Sequence, residues 1–245
     1  MLPIAAKIYN KVILNRLRPK IEPILRRNQN VFRPGRSTLG QILTLRRIIE
    51  EITFCNKTAA LIFVDFSKAF DSVNREKMFE ILSLYGIPHE TIDAIKVLYT
   101  NTRSSVVTPD GETESFDILS GILQGDTLAP FLFVVVIDFI MRISVDTMKE
   151  NGLLYRPRRS SRHPDLFITD ADFADDIALL SDSLTNAQEL LSALESASNC
   201  TGLYLNDTKT KCMPIKTFAT TCKLKLFRTT SLNVLMTITI LAHTF

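Results

Sequence analysis

Apolar positions recur at two different periods along the chain, and the switches between them mark out its elements. Ile4, Ile8, Val12, Ile13 and Leu17 follow a helical spacing until Pro19, and Ile42, Leu45, Ile48, Ile49 and Ile52 do so between Leu39 and Phe54. A basic loop, Arg33-Pro34-Gly35-Arg36-Ser37, lies between these two helices. Ala59 to Val64 is continuously apolar, with β-branched and aromatic members, which predicts a buried strand ending at Asp65. Asn74 is placed to cap a helix ending near Gly86, and Pro88 suits the first turn of another reaching about Tyr99. Ser104 to Thr108, Pro109-Asp110-Gly111 and Thr113 to Ile118 read as a hairpin.

Further along, a long apolar helix is expected from Asp126 or Thr127 to about Met141, then a basic linker from Arg156 to Arg162. Residues Leu166 to Asp172 alternate, and Ile177-Ala178-Leu179-Leu180 is apolar, so Phe173-Ala174-Asp175-Asp176 falls at the tip between two strands. Leu184 to about Asn199 is amphipathic. The expected class is α+β, with helices crossing back over a sheet and no internal repeat. Thr217 to Phe245 differs in character, being Thr-rich and free of acids, with Val234 to Ala242 strand-like. A frameshifted or spliced tail is the favoured account of it.

With 245 residues, 46% of them hydrophobic, the chain can bury a core as one or two domains. Cysteines 55, 200, 212 and 222 form no CxxC pair and no metal-ligand spacing, which suits reduced thiols in an intracellular protein. The first residues carry no signal-peptide pattern, and the most apolar run, Leu128 to Ile137, is too short to span a bilayer before Asp138 interrupts it. No membrane segment is expected. The net charge of +3 hides an asymmetry: +10 over residues 1 to 47, −13 over 48 to 207 and +6 over the remainder. The basic end suits a polyanion, which the acidic middle repels except where a metal intervenes. Taken alone, Arg26-Arg27 and Arg46-Arg47 read as solvated helix faces.

Adjacent acids at a tight turn repel unless a cation neutralises them, so Asp175-Asp176 is the informative pair. Asp65 delivers a third carboxylate at a strand end. Three such acids with no nearby His or Cys suit a hard oxygen-seeking ion such as Mg²⁺. Asp170 and Asp172 are expected to face solvent or to alternate out of the sheet, and their run lacks the Gly an EF-hand loop needs.

Four segments, FVDFSKAFDSV (Phe63 to Val73), GILQGDTLAPFLF (Gly121 to Phe133), FADDIALL (Phe173 to Leu180) and GLYLNDTKTK (Gly202 to Lys211), resemble in order and spacing the A, B, C and D motifs of reverse transcriptases. With NQNVFRPGRST (Asn28 to Thr38) ahead of them, the likeness is to those of non-LTR (LINE-like) retrotransposons and runs from about Leu2 to Lys216. One departure is Val31, where the family pattern has Gly.

The resemblance implies a right-hand polymerase fold: a fingers-like basic helical segment over residues 1–58, a palm with inserted fingers elements over 59–216, and an atypical tail over 217–245. No counterpart of the thumb, the primer grip or the Trp-Arg-Pro-Ile-Ser-like segment before Leu2 is expected in this chain. It also implies an RNA-directed DNA polymerase working on RNA template, DNA primer and deoxynucleoside triphosphates with two Mg²⁺ ions, or Mn²⁺. Asp65, Asp175, Asp176 and the Phe66 carbonyl would hold the metals. Lys209, with Lys211 as rival, would give a proton to pyrophosphate. Phe70 would sit beneath the incoming sugar, Gln124 and Gly125 near base and template strand, and Arg33 and Arg36 on phosphates. Two other readings are a non-catalytic remnant that keeps the fold, and a metal-dependent nuclease or phosphotransferase, against which motifs B and D and Phe70 argue.

Overall fold

The computed structural model describes residues 4–30, 37–109, 111–123, 125, 127–216 and 233–234. In chain order the elements are α1 (Ile4–Ile21), α2 (Thr38–Phe54), β1 (Ala59–Val64), α3 (Ala69–Ser72), α4 (Arg75–Leu84), α5 (His89–Tyr99), β2 (Arg103–Ser104), β3 (Val107–Thr108), β4 (Gly111–Glu112) and β5 (Phe116–Asp117). Then follow α6 (Ala129–Ile143), a 3-10 helix (Val145–Asn151), β6 (Leu153–Arg156), β7 (Leu166–Ile168), β8 (Asp170–Phe173), β9 (Asp176–Ser181), α7 (Leu184–Cys200), β10 (Lys211–Ile215) and β11 (Asn233–Val234).

Several bounds differ from the sequence pattern for identifiable reasons. Helix α1 passes through Pro19, which removes one hydrogen bond from its last turn, because Ile21 is fully buried there. Its buried side is Ile13, Leu14, Leu17 and Ile21, whereas Ile4, Ile8 and Val12 are exposed. Helix α6 begins at Ala129 rather than Asp126 or Thr127, which puts Pro130 in the first turn, where a missing N–H costs nothing. The basic linker is instead the tip of a hairpin, since β6 pairs antiparallel with β7.

The chain folds into two compact units. One comprises Met1–Leu25, Lys68–Phe139 and Thr201–Leu203. Its core is built from Met78, Ile81 and Leu82 of α4, Ile92 and Ile95 of α5, and Leu132, Phe133 and Val136 of α6. Asp138, buried in α6, accepts a 2.5 Å hydrogen bond from Tyr85, so the acid that breaks the apolar run is partnered inside. Arg75 ties this unit's loops together by donating to the carbonyls of Tyr99, Ile118, Ser120 and Gly121. Gly121 is required: its φ is +83°, and a Cβ there would meet the Asp71 backbone at 2.7 Å.

The other unit comprises Arg26–Ser67, Ile140–Cys200 and Tyr204–Phe245 and holds the main sheet, in the order β11-β10-β1-β9-β8. Four of its strands are antiparallel. This is the antiparallel sheet expected of the palm, and at its edge β11 joins β10 in parallel. Of the strand expected over Val234 to Ala242, only Val234 is described, and it lies in β11. Strand β1 is central, with Ala60, Leu61 and Ile62 fully buried. Ile48 and Ile52 of α2 pack with Ala59, Leu61, Ala171, Ala178, Leu180 and Ile215 on one face, while α7 packs on β1 and β9. Alternation assigns α7 the other face. Among the described residues no helix is long and apolar enough to cross a membrane.

Candidate active site

Register brings the acids together. Strand β1 pairs with β9 as Phe63↔Ala178 and Val64↔Ile177, so the next position sets Asp65 across from Asp176. On the other side, β1 pairs with β10 as far as Phe63↔Lys211; beyond that pair Asp65 faces the turn before β10, and Lys209 Nζ on that turn comes within 3.6 Å of Asp65 Oδ2. Strands β8 and β9 close at Phe173↔Asp176, leaving Ala174 and Asp175 as the turn. Ala174 takes a left-handed φ of +57°, which costs a residue with a Cβ about 1–2 kcal/mol. Asp65 itself is fixed through its backbone. Its carbonyl accepts from Asn206 N–H at 2.8 Å, and its N–H donates to Thr210 Oγ1 at 3.3 Å.

The electrostatics of this corner are those of crowded acids. Asp65 Oδ2 is buried without a hydrogen bond, and Lys209 Nζ lies 3.6 Å from it. Burial, then Asp175, then Asp65 push the Asp176 carboxyl above its usual range. An oxygen without a donor, beside Asp176 whose proton affinity its acidic neighbours raise, is what a hard cation would satisfy, so these residues fit a divalent metal. Among the described residues no three His, Cys, Asp or Glu groups are arranged to hold an ion. Lys209 is held by an Asx turn in which Asn206 Oδ1 accepts from the N–H groups of Thr208 and Lys209. Lys211 lies in β10 and donates from Nζ to the Thr208 carbonyl.

Phe66, buried next to Asp65, bridges to Leu205. Phe70 belongs to the other unit. It sits in α3, half-buried, with its ring stacked on Phe133 at 4.3 Å between centroids, and its carbonyl accepts from Ile122 N–H at 2.7 Å. Gly125 has a φ of +89°, with nothing near where a Cβ would point. Gln124, Arg33, Arg36, Val31 and Asp126 lie outside the described residues.

The largest departure from the sequence reading is behind the Asp175 turn. Asp170 and Asp172, expected to face solvent, are 3% and 0% exposed, and Arg26, expected on a solvated face, is 6% exposed. The Arg26 guanidinium reaches Asp172 at 2.7 Å, Asp170 at 2.8 Å and Asp146 at 3.0 Å. Asn28 and Thr169 also donate to Asp170. Burial and the Asp170 charge hold the Asp172 carboxyl well above its usual range, against the pull of Arg26. Gln29 Oε1 accepts from the Ala174 N–H at 3.2 Å, and Gln41 Nε2 donates to the Asp172 carbonyl at 3.1 Å. Thus Arg26, Gln29 and Gln41 fix strand β8 and the turn that presents Asp175. The one sequence signal was the period-two placement of both acids on a single strand face, which demands a buried cation if that face is covered.

The model of the family described as "Reverse transcriptase (RNA-dependent DNA polymerase)" matches residues 1–233. The chain belongs to the reverse transcriptase family. It is 28% identical over 172 residues to the "Retrovirus-related Pol polyprotein from type-1 retrotransposable element R2" of Popillia japonica, covering 70% of this chain and 27% of that protein. It is also 28% identical over 153 residues to the type-2 element R2DM polyprotein of Drosophila melanogaster, covering 62% and 13%. These relatives make it a LINE-like reverse transcriptase domain that spans about a quarter or less of their length. Among solved structures, telomerase from Candida tropicalis in complex with a fragment of telomeric RNA matches 89% of the chain and 34% of its own, with a TM-score of 0.56 at 14% identity. At that identity the likeness shows the fold, an α+β fingers-and-palm arrangement.

Two outcomes are expected. Replacing Arg26 by Met leaves buried acids without their cation and should cost about 3–5 kcal/mol in urea unfolding, with Asp170→Asn and Asp172→Asn on the same chain restoring much of the loss. An unchanged midpoint in the single variant would contradict the structure. For Asp176, a raised folded-state value means that its contribution is fully present below the unfolded value, about 3.9, and is lost as pH rises through the folded one. Asp176→Asn should therefore raise the metal-free melting temperature at neutral pH, by less than about 1 kcal/mol equivalent for so exposed a group, and remove part of the gain on adding MgCl₂. Equal melting curves for both chains, with and without the metal, would refute this.

Proposed function

We propose that this chain is the catalytic core of an RNA-directed DNA polymerase that adds deoxynucleotides to a primer 3′-hydroxyl on an RNA template. The observation that carries the reading is the convergence of Asp65 with the Asp175-Asp176 turn at adjoining strand ends, beside Lys209. Asp65, Asp175, Asp176 and the Phe66 carbonyl would hold two divalent cations, Mg²⁺ or Mn²⁺. Bound there, the ions neutralise charge developing on attacking and leaving oxygens.

The chain's own residues do the positioning. Asp65 is anchored by backbone bonds to the motif D segment, whose turn also carries Lys209 and brings its Nζ to 3.6 Å from Asp65 Oδ2. That relation supports Lys209 over Lys211 as the group that supplies a proton to departing pyrophosphate, since Lys211 is engaged with its own turn. The stacking of Phe70 on Phe133 restricts the ring to one orientation, which suits a steric gate against a 2′-hydroxyl. Gln124 and Gly125 are assigned to the base and template strand, and Arg33 and Arg36 to nucleic-acid phosphates, on their motif positions. A catalytically silent remnant would keep the same fold and differ only in turnover.

Primer extension separates the two. Oligo(dT) annealed to poly(rA), with dTTP and Mg²⁺ or Mn²⁺, is assayed on the 245 residues and on the chain extended by its relatives' flanking segments. Incorporation is expected, with Asp65→Asn reducing it by roughly a hundredfold or more. No incorporation from any wild-type form would overturn the polymerase reading in favour of the remnant. In an active form, Phe70→Val should relax discrimination against ribonucleotides by roughly tenfold or more while extension continues. Discrimination equal to that of the wild type would return Phe70 to a packing role.

A further inference from the structure

The hairpin of β6 and β7 is used by nothing in the reaction described above. Its tip carries Arg156, Arg158, Arg159 and Arg162, all exposed, within the sequence Arg156-Pro157-Arg158-Arg159-Ser160-Ser161-Arg162-His163-Pro164. Among the described residues none of these four arginines is in an ion pair. The tip is nevertheless ordered. Arg159 N–H donates to the His163 carbonyl at 3.1 Å, His163 N–H to the Ser160 carbonyl at 3.2 Å, and Arg158 N–H to Asp165 Oδ1 at 2.7 Å. At its base the hairpin is pinned to α2: Tyr155 OH donates to Glu51 at 2.9 Å, and Lys57 Nζ to the Leu154 carbonyl at 3.3 Å. One turn beyond Glu51 stands Phe54, 92% exposed, sharing a surface recess with Arg47, Glu50, Glu51 and Cys55, in which Arg47 makes an exposed 3.7 Å pair with Glu50.

Four uncompensated guanidinium groups on a stiff turn cost charge repulsion that a polyanion relieves. Arginine is the side chain whose planar fork suits phosphate oxygens. An aromatic ring left almost wholly in water on the helix to which the hairpin's base is pinned is a stacking platform for an unpaired base, which a duplex does not offer. Strands β7 and β8 run consecutively, so the tip and the Asp175 turn lie at opposite ends of an extended stretch, up to roughly 30 Å apart at about 3.3 Å per residue. We infer that the β6–β7 tip, with Phe54 and Arg47 of α2, is a binding site for single-stranded RNA or DNA, separate from the catalytic corner. The arginines take the phosphates, and Phe54 takes a base.

The test needs no primer or nucleotide, so its outcome is independent of whether the polymerase reading holds. Binding of fluorescein-labelled oligo(U) 20-mer to the full chain is followed by anisotropy across a NaCl series, with a 20-base-pair duplex in parallel. Replacing all four tip arginines by Gln should lower the log–log salt slope by about 2–3, from about 0.7 per phosphate contact on a single strand, and weaken binding at least tenfold at the lowest salt. A slope and affinity equal to wild type would place the phosphates elsewhere, for example on residues 1–47, and overturn the site. Phe54→Ser should weaken oligo(U) binding about tenfold with the slope kept and duplex binding untouched. Equal effects on both probes, or none, would overturn the single-strand assignment. Oligo(U) should also protect Arg158, Arg159 and Arg162 from phenylglyoxal on the unmutated chain, a readout that holds even if the Gln variant folds poorly. Reactivity unaffected by RNA, or protection by poly-glutamate to the same degree, would reject a nucleic-acid site.

Discussion

Charge compensation along strand β8 governs how the Asp175 turn is held. Asp170 and Asp172 sit on one face of that strand, both buried, with Asp175 and Asp176 just beyond. Four carboxylates within seven residues could not share a folded sheet if all were ionised and unpaired, since a single buried charge costs several kcal/mol. Two solutions divide them. The inner pair shares Arg26, and burial beside Asp170 holds the Asp172 carboxyl well above its ordinary range. The outer pair stays at the edge of the sheet beside Asp65, where Asp176 is exposed and the charge is left for a cation to neutralise.

The two solutions are mechanically linked. Gln29 and Arg26 belong to the same short segment after α1, and Gln29 holds the Ala174 N–H, so the residues that neutralise the inner pair also fix the turn that bears the outer pair. Gln41 adds a third tie from α2 through the Asp172 carbonyl. A turn with a left-handed alanine at its first position is a strained choice, and strain of this size persists only where surrounding contacts over-determine the conformation. Here those contacts are named. Arg26, Gln29 and Gln41 are accordingly positioning residues: they touch no reacting group, and they set where Asp175 points.

How far the sequence could be read depended on whether a feature was local. The buried run ending at Asp65, the Asn74 cap that accepts from Lys77 N–H, and the period change around Phe173 to Asp176 are local signals, and each produced the element expected of it. The acids of the outer site were legible for the same reason, because a strand end and a two-residue turn are short-range patterns. The inner cluster was not, since Arg26 and Asp172 are far apart in sequence and no alternation rule says which faraway cation a strand will meet. The basic stretch after Arg156 misled in another way. Prolines and arginines read as a linker, whereas pairing of Leu153 with Ile168 and Leu154 with Phe167 makes that stretch the end of a hairpin.

Motif D shows how a commonplace lysine becomes a specific one. Either lysine of Lys-Thr-Lys satisfies the pattern, and both are solvated in isolation. Their places in the fold separate them: Lys211 lies in β10, paired with Phe63, whereas Lys209 is on the preceding turn with its Nζ 3.6 Å from Asp65 Oδ2. Asn206 then decides the geometry, because its side chain accepts from two successive N–H groups while its own N–H holds the Asp65 carbonyl. The same asparagine therefore ties the Asp65 backbone to the turn that carries Lys209. The fold sets where the lysine's side chain starts, and its exposed ammonium then spans the remaining distance to the half-buried Asp65 carboxylate, at 3.6 Å, whereas Lys211 Nζ is engaged by the Thr208 carbonyl.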